Sequence, residues 1–174
     1  MMNKKLEPRR VRDLVRVLEE LTGLHEQLAE TMEQKIAAMK RADLIVLTQM
    51  TDQEKELAGR ITERDGLRRQ ILDVLGTQMG LPSKAARALT AGELGAAASQ
   101  PEREALGQAR DGLRPVLDRV ARLNRLAFAV SRAILSHLEW VFSAVKPRVS
   151  SPVGYAGDGG AVGLSGTQVL DAVG

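Results

Sequence analysis

Apolar residues recur along the first forty positions at alternating steps of three and four. This heptad spacing predicts a helix over residues 8–41 that packs along its length against other helices. Two polar residues interrupt the pattern, and Pro8 falls where a first helical turn tolerates proline. The positions are Val11, Leu14, Leu18, Leu21, His25, Leu28, Met32, Lys35 and Met39.

A second helix is predicted over residues 43–79, in a shifted register. Its start is open between Asp43 and Thr51, because Asp43 precedes a dense apolar run and "TDQE" has the spacing of a capping box. The stretch "GTQMGLPS" ends the helix, since Gly80 suits a C-terminal cap and Pro82 prevents continuation. Residues 80–99 are predicted to form a connector of one or two short helices, because residues 83–98 are alanine-rich.

A third helix is predicted over residues 100–146, because "SQPE" combines a capping serine, an early proline and a glutamate. Pro115 should kink this helix near Asp111 or split off its first turns, and the unbroken heptad favours the kink. The expected fold is all-α: an elongated antiparallel bundle, or coiled coil, of three long helices. It forms one domain, residues 1–149, and residues 150–174 form a flexible glycine-rich tail.

The third helix carries a second apolar stripe beside its main seam, so its apolar arc is wider than one helical partner needs. Either two helices of the same chain pack there, or one side is left for another molecule, such as an amphipathic client helix. Trp140 would be an interface anchor for such a client. The candidate client-binding residues are Leu117, Phe128, Leu135, Leu138, Trp140 and Phe142.

Composition excludes several chemistries. The 174 residues include no cysteine, which rules out thiolate catalysis and cysteine-ligated metal sites. We find no catalytic motif and expect no enzyme activity, metal, cofactor or small-molecule substrate. "GDGGAVG" is glycine-rich, but we expect no strand before it and no strong helix after it, so a phosphate site is not predicted. The lack of a signal-peptide pattern and of a long apolar run predicts a cytoplasmic protein.

The net charge of +3 is spread along the chain. Four arginines of the third helix, Arg119, Arg122, Arg125 and Arg132, fit a solvated face paired with carboxylates or, alternatively, a phosphate-binding face. Aromatics are only 2% of the chain, which argues against nucleic acid because base stacking needs them. The main rival to client binding is a structural coiled-coil scaffold that only oligomerises, and a homodimer is compatible with either.

Two stretches of the sequence resemble the FlgN-like flagellar export chaperones. One is "RLNRLAFAVSRAIL" followed by "YAGDGG", which is similar to the asparagine-centred third helix and the terminal Y-G-x-x-G element of that family. The other is "KRADLIVLTQMTDQEKELAGRITERDGLRRQILDVLG". Its positions that match the family are Lys40, Arg41, Asp43, Leu57, Glu63, Arg64, Leu72, Leu75 and Gly76.

The resemblance implies a substrate-specific chaperone of flagellar type III secretion. Such chaperones bind the C-terminal segments of hook–filament junction proteins, keep them monomeric and deliver them to the export gate. The resemblance further implies that Tyr155, the only tyrosine, contacts the cytoplasmic domain of the export-gate membrane protein.

Overall fold

The computed structural model describes residues 6–145 and the backbone of residues 153–155 and 161–163. The fold is all-α, as predicted, with one pair of three-residue strands. The elements in chain order are α1 (Pro8–Arg41), α2 (Leu44–Gln78), α3 (Ser83–Ala86), α4 (Ala91–Ala97), α5 (Gln100–Val145), β1 (Val153–Tyr155) and β2 (Ala161–Gly163).

The contacts divide the chain into two compact units, residues 1–133 and residues 134–174, and the division falls inside α5. The core belongs to the first unit. It joins α1, α2, α4 and the start of α5 through a cluster of buried aliphatic side chains. These are Leu6, Val11, Leu14, Leu72, Leu75, Leu94 and Leu106.

Helix α1 ends and α2 begins within a tight turn. The backbone N–H of Asp43 donates to the carbonyl of Ala38 at 3.0 Å, and Ala42 takes a left-handed conformation with φ 53°. The Asp43 carboxylate then accepts from the N–H of Val46 at 3.1 Å and caps α2. Of the two predicted starts, Asp43 is therefore the correct one. Thr51 lies inside α2, where its hydroxyl donates to the carbonyl of Leu47.

The end of α2 follows the predicted signal. Gly80 has a φ of 79°, its N–H donates to the carbonyl of Thr77, and the N–H of Leu81 donates to the carbonyl of Gly76 at 2.8 Å. This pair of bonds is a Schellman motif, which satisfies the last carbonyls of the helix and needs a left-handed residue at its centre.

Ion pairs link α1 to its neighbours in the first unit. Lys35 of α1 pairs with Glu54 of α2, and Arg64 of α2 lies 3.1 Å from Glu20 of α1. His25, the other polar position of the seam, lies 2.7 Å from the carbonyl of Leu21 through Nδ1. Both polar positions of the predicted seam are thus satisfied within the helices.

Helix α5 continues through Pro115 as one helix, so the alternative of a split of its first turns is wrong, and the favoured kink near Asp111 stays a prediction. At its start, the carboxylate of Glu102 accepts from the N–H of Ser99 at 3.0 Å and from its hydroxyl at 2.8 Å. The predicted start signal at "SQPE" is confirmed.

The two strands pair antiparallel, with Tyr155 opposite Ala161. The expectation that no strand precedes "GDGGAVG" is therefore wrong, because β1 ends at Tyr155. The following described element is a strand and not the helix that a phosphate-binding loop requires. The rest of the predicted flexible tail, and the side chain of Tyr155, lie outside the described residues.

Candidate partner-binding surface

Burial along α5 stops early in the helix. Leu106 is fully buried in the core and Ala109 is buried, whereas none of residues 110–145 is buried. Beyond Ala109, the main heptad seam of α5 consists of residues that are at most half-buried, including Leu113, Val116 and Val120. Helix α5 therefore carries more apolar surface than the described residues cover.

The candidate residues of the first unit are exposed. Leu117 is 42% exposed and Phe128 is 69% exposed. Their separation of eleven residues places them on the same side of a helix with 3.6 residues per turn. Leu126 has a similar exposure of 44% but lies nine residues from Leu117, on the opposite side.

The candidate residues of the second unit are exposed too, but they do not all share a face. Leu135 and Phe142 are seven residues apart and lie on one side, with Leu138 beside them. Trp140 is two residues from both Leu138 and Phe142, about 200° around the helix. Its ring stacks with that of His137, with centroids 6.0 Å apart. Trp140 therefore belongs to a different face from the stripe that it was predicted to anchor.

The arginines of α5 are anchored only in part. Arg119 pairs with Glu33 of α1 through two nitrogens, at 2.9 and 3.2 Å from the same carboxylate oxygen. Arg119 thus fits the solvated, carboxylate-paired interpretation. Arg122, Arg125 and Arg132 are exposed and make no ion pair within residues 6–145.

An apolar groove lies in the first unit between α1, α2, α4 and α5, with a volume of about 330 Å³. Leu117 is the one predicted candidate residue that lines it. Its floor is built from leucines of all four helices and of the segment before α4, and charged side chains stand among them. The lining residues are Leu14, Leu18, Arg68, Leu72, Leu89, Ala91, Leu94, Leu106, Arg110, Leu113, Arg114, Leu117 and Asp118.

The short helix α4, which lines this groove, is held by specific contacts. The hydroxyl of Thr90 accepts from the N–H of Glu93 at 3.2 Å, and the Glu93 carboxylate accepts from the N–H of Thr90 at 2.7 Å. Bonds from the backbone and then the hydroxyl of Thr90 lower the pKa of Glu93. This capping box starts α4 and presents Leu94 to the core, while the guanidinium of Arg103 donates to the carbonyl of Gly95 at 2.8 Å.

Sequence reasoning missed this groove, although the signal for its wall is present. "TAGE", residues 90–93, has the spacing of a capping box and stands directly before a leucine. The alanine-rich composition of residues 83–98 concealed it.

A guanidinium of α2 at the groove is fixed by a neighbouring carboxylate. The Nε of Arg68 donates to Asp65 at 2.8 Å, and Arg69 contacts the other oxygen of that carboxylate at 2.5 Å. Burial raises the pKa of Asp65, but the hydrogen bonds and charges of Arg68 and Arg69 outweigh it and lower that pKa below its ordinary value. Asp65 is therefore ionised near neutral pH and orients Arg68.

The described residues carry no group of three His, Asp or Glu side chains that would hold a metal ion. Within the same residues no helix has the length and apolar character to cross a membrane. What the described residues provide is a helical scaffold with an apolar groove and exposed apolar faces, the features of a protein that binds other proteins.

Comparison with known families agrees with this class. A family model described as "FlgN protein" matches residues 2–163. The chain therefore belongs to the FlgN family, and this membership indicates a flagellar export chaperone role in a family not known for enzymes. No curated protein and no solved structure matches the chain.

Proposed function

We propose that this protein is a flagellar type III secretion chaperone for hook–filament junction proteins. It binds their C-terminal amphipathic segments in the cytoplasm, prevents premature association and delivers them to the export gate. The observation that supports client binding is the exposure of the aromatics of α5: Phe128, Trp140 and Phe142 are each at least 66% exposed. The chain contains only one further aromatic residue, Tyr155.

The physical reason lies in what such residues do in water. An exposed aromatic side chain loses the favourable free energy of burial, and phenylalanine offers no polar atom to recover it. An amphipathic helix laid against the stripe of either unit would bury its own apolar face together with the phenylalanine ring of that unit. Masking that face keeps the client from self-association until export. As part of this proposal, the three long helices act as the antiparallel bundle that the sequence predicts.

Client binding is tested by mixing the full chain with the C-terminal segment of each junction protein from the same organism. We expect a soluble stoichiometric complex at concentrations on the order of ten micromolar, measured by size-exclusion chromatography with light scattering. A failure to form any complex at this concentration would contradict the client assignment.

Two pairs of variants locate the surface. Leu117→Ser should weaken the complex by about tenfold or more, whereas Leu126→Ser, on the opposite side with equal exposure, should leave it unchanged. In the second unit, Phe142→Ser should weaken it in the same way and Trp140→Ser should have a smaller effect. All four residues are exposed, so the variants should fold. Equal effects within each pair would show that the stripe is not the binding face.

The same variants separate chaperoning from a scaffold role. A coiled-coil scaffold would form a stable oligomer of the chain alone, which Leu117→Ser and Phe142→Ser would dissociate. A chaperone would lose client binding without a change in its own oligomeric state, including any homodimer.

Delivery is assigned in this proposal to Tyr155. Tyr155→Ala should retain the client complex and lose binding to the cytoplasmic domain of the export-gate membrane protein. Tyr155→Phe then distinguishes the ring from the hydroxyl, since it keeps the contact area of the ring. Loss of both activities in Tyr155→Ala would instead assign this residue to client binding or to folding.

A further inference from the structure

The groove of the first unit has the form of a small binding site. Its volume, about 330 Å³, is at the lower end of the range for ligand pockets, roughly 300–1,000 Å³. Eight of the thirteen residues that line it are leucines. A groove of this size admits the apolar side chains of a short helical segment, which would interdigitate with the leucines of α1, α2 and α5.

The charges around the groove favour one kind of segment. Four lining residues are charged, and three of them are arginines: Arg68, Arg110 and Arg114. Arg68 is held by Asp65, and Arg110 lies 2.7 Å from Asp111. Arg114 makes no ion pair within residues 6–145. A carboxylate on an incoming segment would therefore find a guanidinium partner in Arg114.

We propose that this groove binds an acidic amphipathic helix, with leucine-like side chains on one face and aspartate or glutamate beside them. The inference rests on the proposed function, because Leu117 belongs to both the groove and the client stripe. It adds a chemical requirement that the stripe does not make, since the stripe selects for apolar area alone.

The requirement for acidic flanks follows from the positions of the arginines. Arg110 and Arg114 are four residues apart on α5, so their side chains stand on the same side of that helix. Arg68 approaches from α2, on another side of the groove. The three arginines outnumber Asp118, the one carboxylate that lines the groove, so a helix that enters between them meets more positive than negative lining charge and basic flanks are disfavoured.

The test uses two designed peptides and the full-length chain. Each peptide has about 14 residues and leucines at helical spacing i, i+4, i+7 and i+11. Their flanking positions are glutamate in one peptide and lysine in the other. Fluorescence anisotropy of labelled peptide is measured against the wild type, Arg114→Glu and Arg122→Glu. The last variant is the matched control, because Arg122 is an exposed arginine of α5 that does not line the groove.

We expect the glutamate peptide to bind the wild type and Arg122→Glu with equal affinity. It should bind Arg114→Glu about five- to tenfold more weakly, and the lysine peptide should show the reverse order. The difference in affinity between the glutamate and lysine peptides should become smaller at high salt, because exposed charges are screened. Equal binding of both peptides to the wild type, or equal loss in both arginine variants, would overturn the proposal.

Two further outcomes are decisive. If decanoate binds in the groove while neither peptide binds, the groove takes a small amphiphile and the proposal is wrong. If junction-protein segments bind the chain normally and neither peptide binds, the groove assignment fails and the chaperone function stands. Leu89→Ala, which enlarges the groove at its wall, should weaken the glutamate peptide and leave its charge preference unchanged.

Discussion

Replacing Gly76 with alanine tests whether α3 is held against α2 by close backbone contact. Gly76 is buried near the end of α2. A β-carbon added to it would overlap the side chain of Ala86 and would lie 2.9 Å from the Cα of Ala86. Because one of the two atoms is backbone, the new methyl group cannot be accommodated by rotation of a side chain. The segment that contains α3 has to move.

Gly76→Ala has two opposing effects on the free energy of unfolding. Alanine is better than glycine inside a helix by about 0.5–1 kcal/mol. Overpacking a close contact costs about 1–3 kcal/mol. We therefore expect Gly76→Ala to lower the free energy of unfolding by up to about 2.5 kcal/mol. At a glycine of α2 with open surroundings, substitution by alanine should stabilise the helix without overpacking. Gly59 has no atom within 4 Å of an added β-carbon, so Gly59→Ala should raise the free energy of unfolding by about 0.5–1 kcal/mol.

The assay is urea unfolding followed by far-ultraviolet circular dichroism. The double variant Gly76→Ala with Ala86→Gly removes the methyl group of Ala86 that the new methyl group overlaps, so it should recover part of the stability lost in Gly76→Ala. If Gly76→Ala were as stable as Gly59→Ala, the close contact between α2 and α3 would be refuted. Gly76→Ala should also weaken binding of the glutamate peptide, because Leu89, Ala91 and Leu94, which follow α3, line the groove.

Three further predictions concern local features of the helices. Ala42→Gly should raise the free energy of unfolding in urea by about 1 kcal/mol, because Ala42 has a left-handed φ of 53° that glycine adopts without strain. An unchanged free energy of unfolding would show that Ala42 is not strained. Pro115→Ala should stabilise by about 1–3 kcal/mol, since it restores the backbone donor to Asp111 inside α5, and an unchanged midpoint would contradict this. Glu93→Gln should lower stability at pH 7. The gap to the wild type should close below about pH 4.5, since the folded pKa of Glu93 is lowered by Thr90 and its stabilisation disappears as the pH falls through that pKa; a gap independent of pH would refute the assignment.

Local signals in the sequence predicted the helix ends well where one residue dominates. Pro82 and Gly80 after α2, and the serine and glutamate before α5, each act within a single turn. The choice between Asp43 and Thr51 could not be made from sequence because both are competent caps. The structure selects Asp43, since the turn that ends at Asp43 already reverses the chain and leaves Thr51 inside α2.

The burial pattern of α1 was predicted only in part. The single predicted seam omits a second stripe of buried residues at seven-residue spacing: Val17, Leu24, Thr31 and Ala38. A heptad pattern identifies a face that packs, but the number of neighbours decides how much of the helix surface is buried. Threonine and alanine give little hydrophobic signal, so this second stripe emerges only when the neighbouring helices are in place.

For the candidate surface of α5, periodicity identified a shared face of the helix but could not identify contacts with residues distant in sequence. Periodicity correctly placed Leu117 and Phe128 on one side of α5, yet it gave no indication that Leu117 also lines a groove. The groove depends on Leu89 and Leu94, which come from the connector and are distant in sequence from α5. Trp140 was joined to the stripe by its proximity in sequence, and helical geometry separates it.

The distribution of aromatic residues ties the fold to the proposed function. The core of the described residues is built from leucine, valine, isoleucine, methionine and alanine, so the two phenylalanines and the tryptophan contribute nothing to it. All three lie on α5, beyond Ala109, where burial by the described residues ends. Removing them should therefore leave the free energy of unfolding nearly unchanged. A protein that kept its stability but lost its client in Phe128→Ser would show that these rings serve binding and not folding.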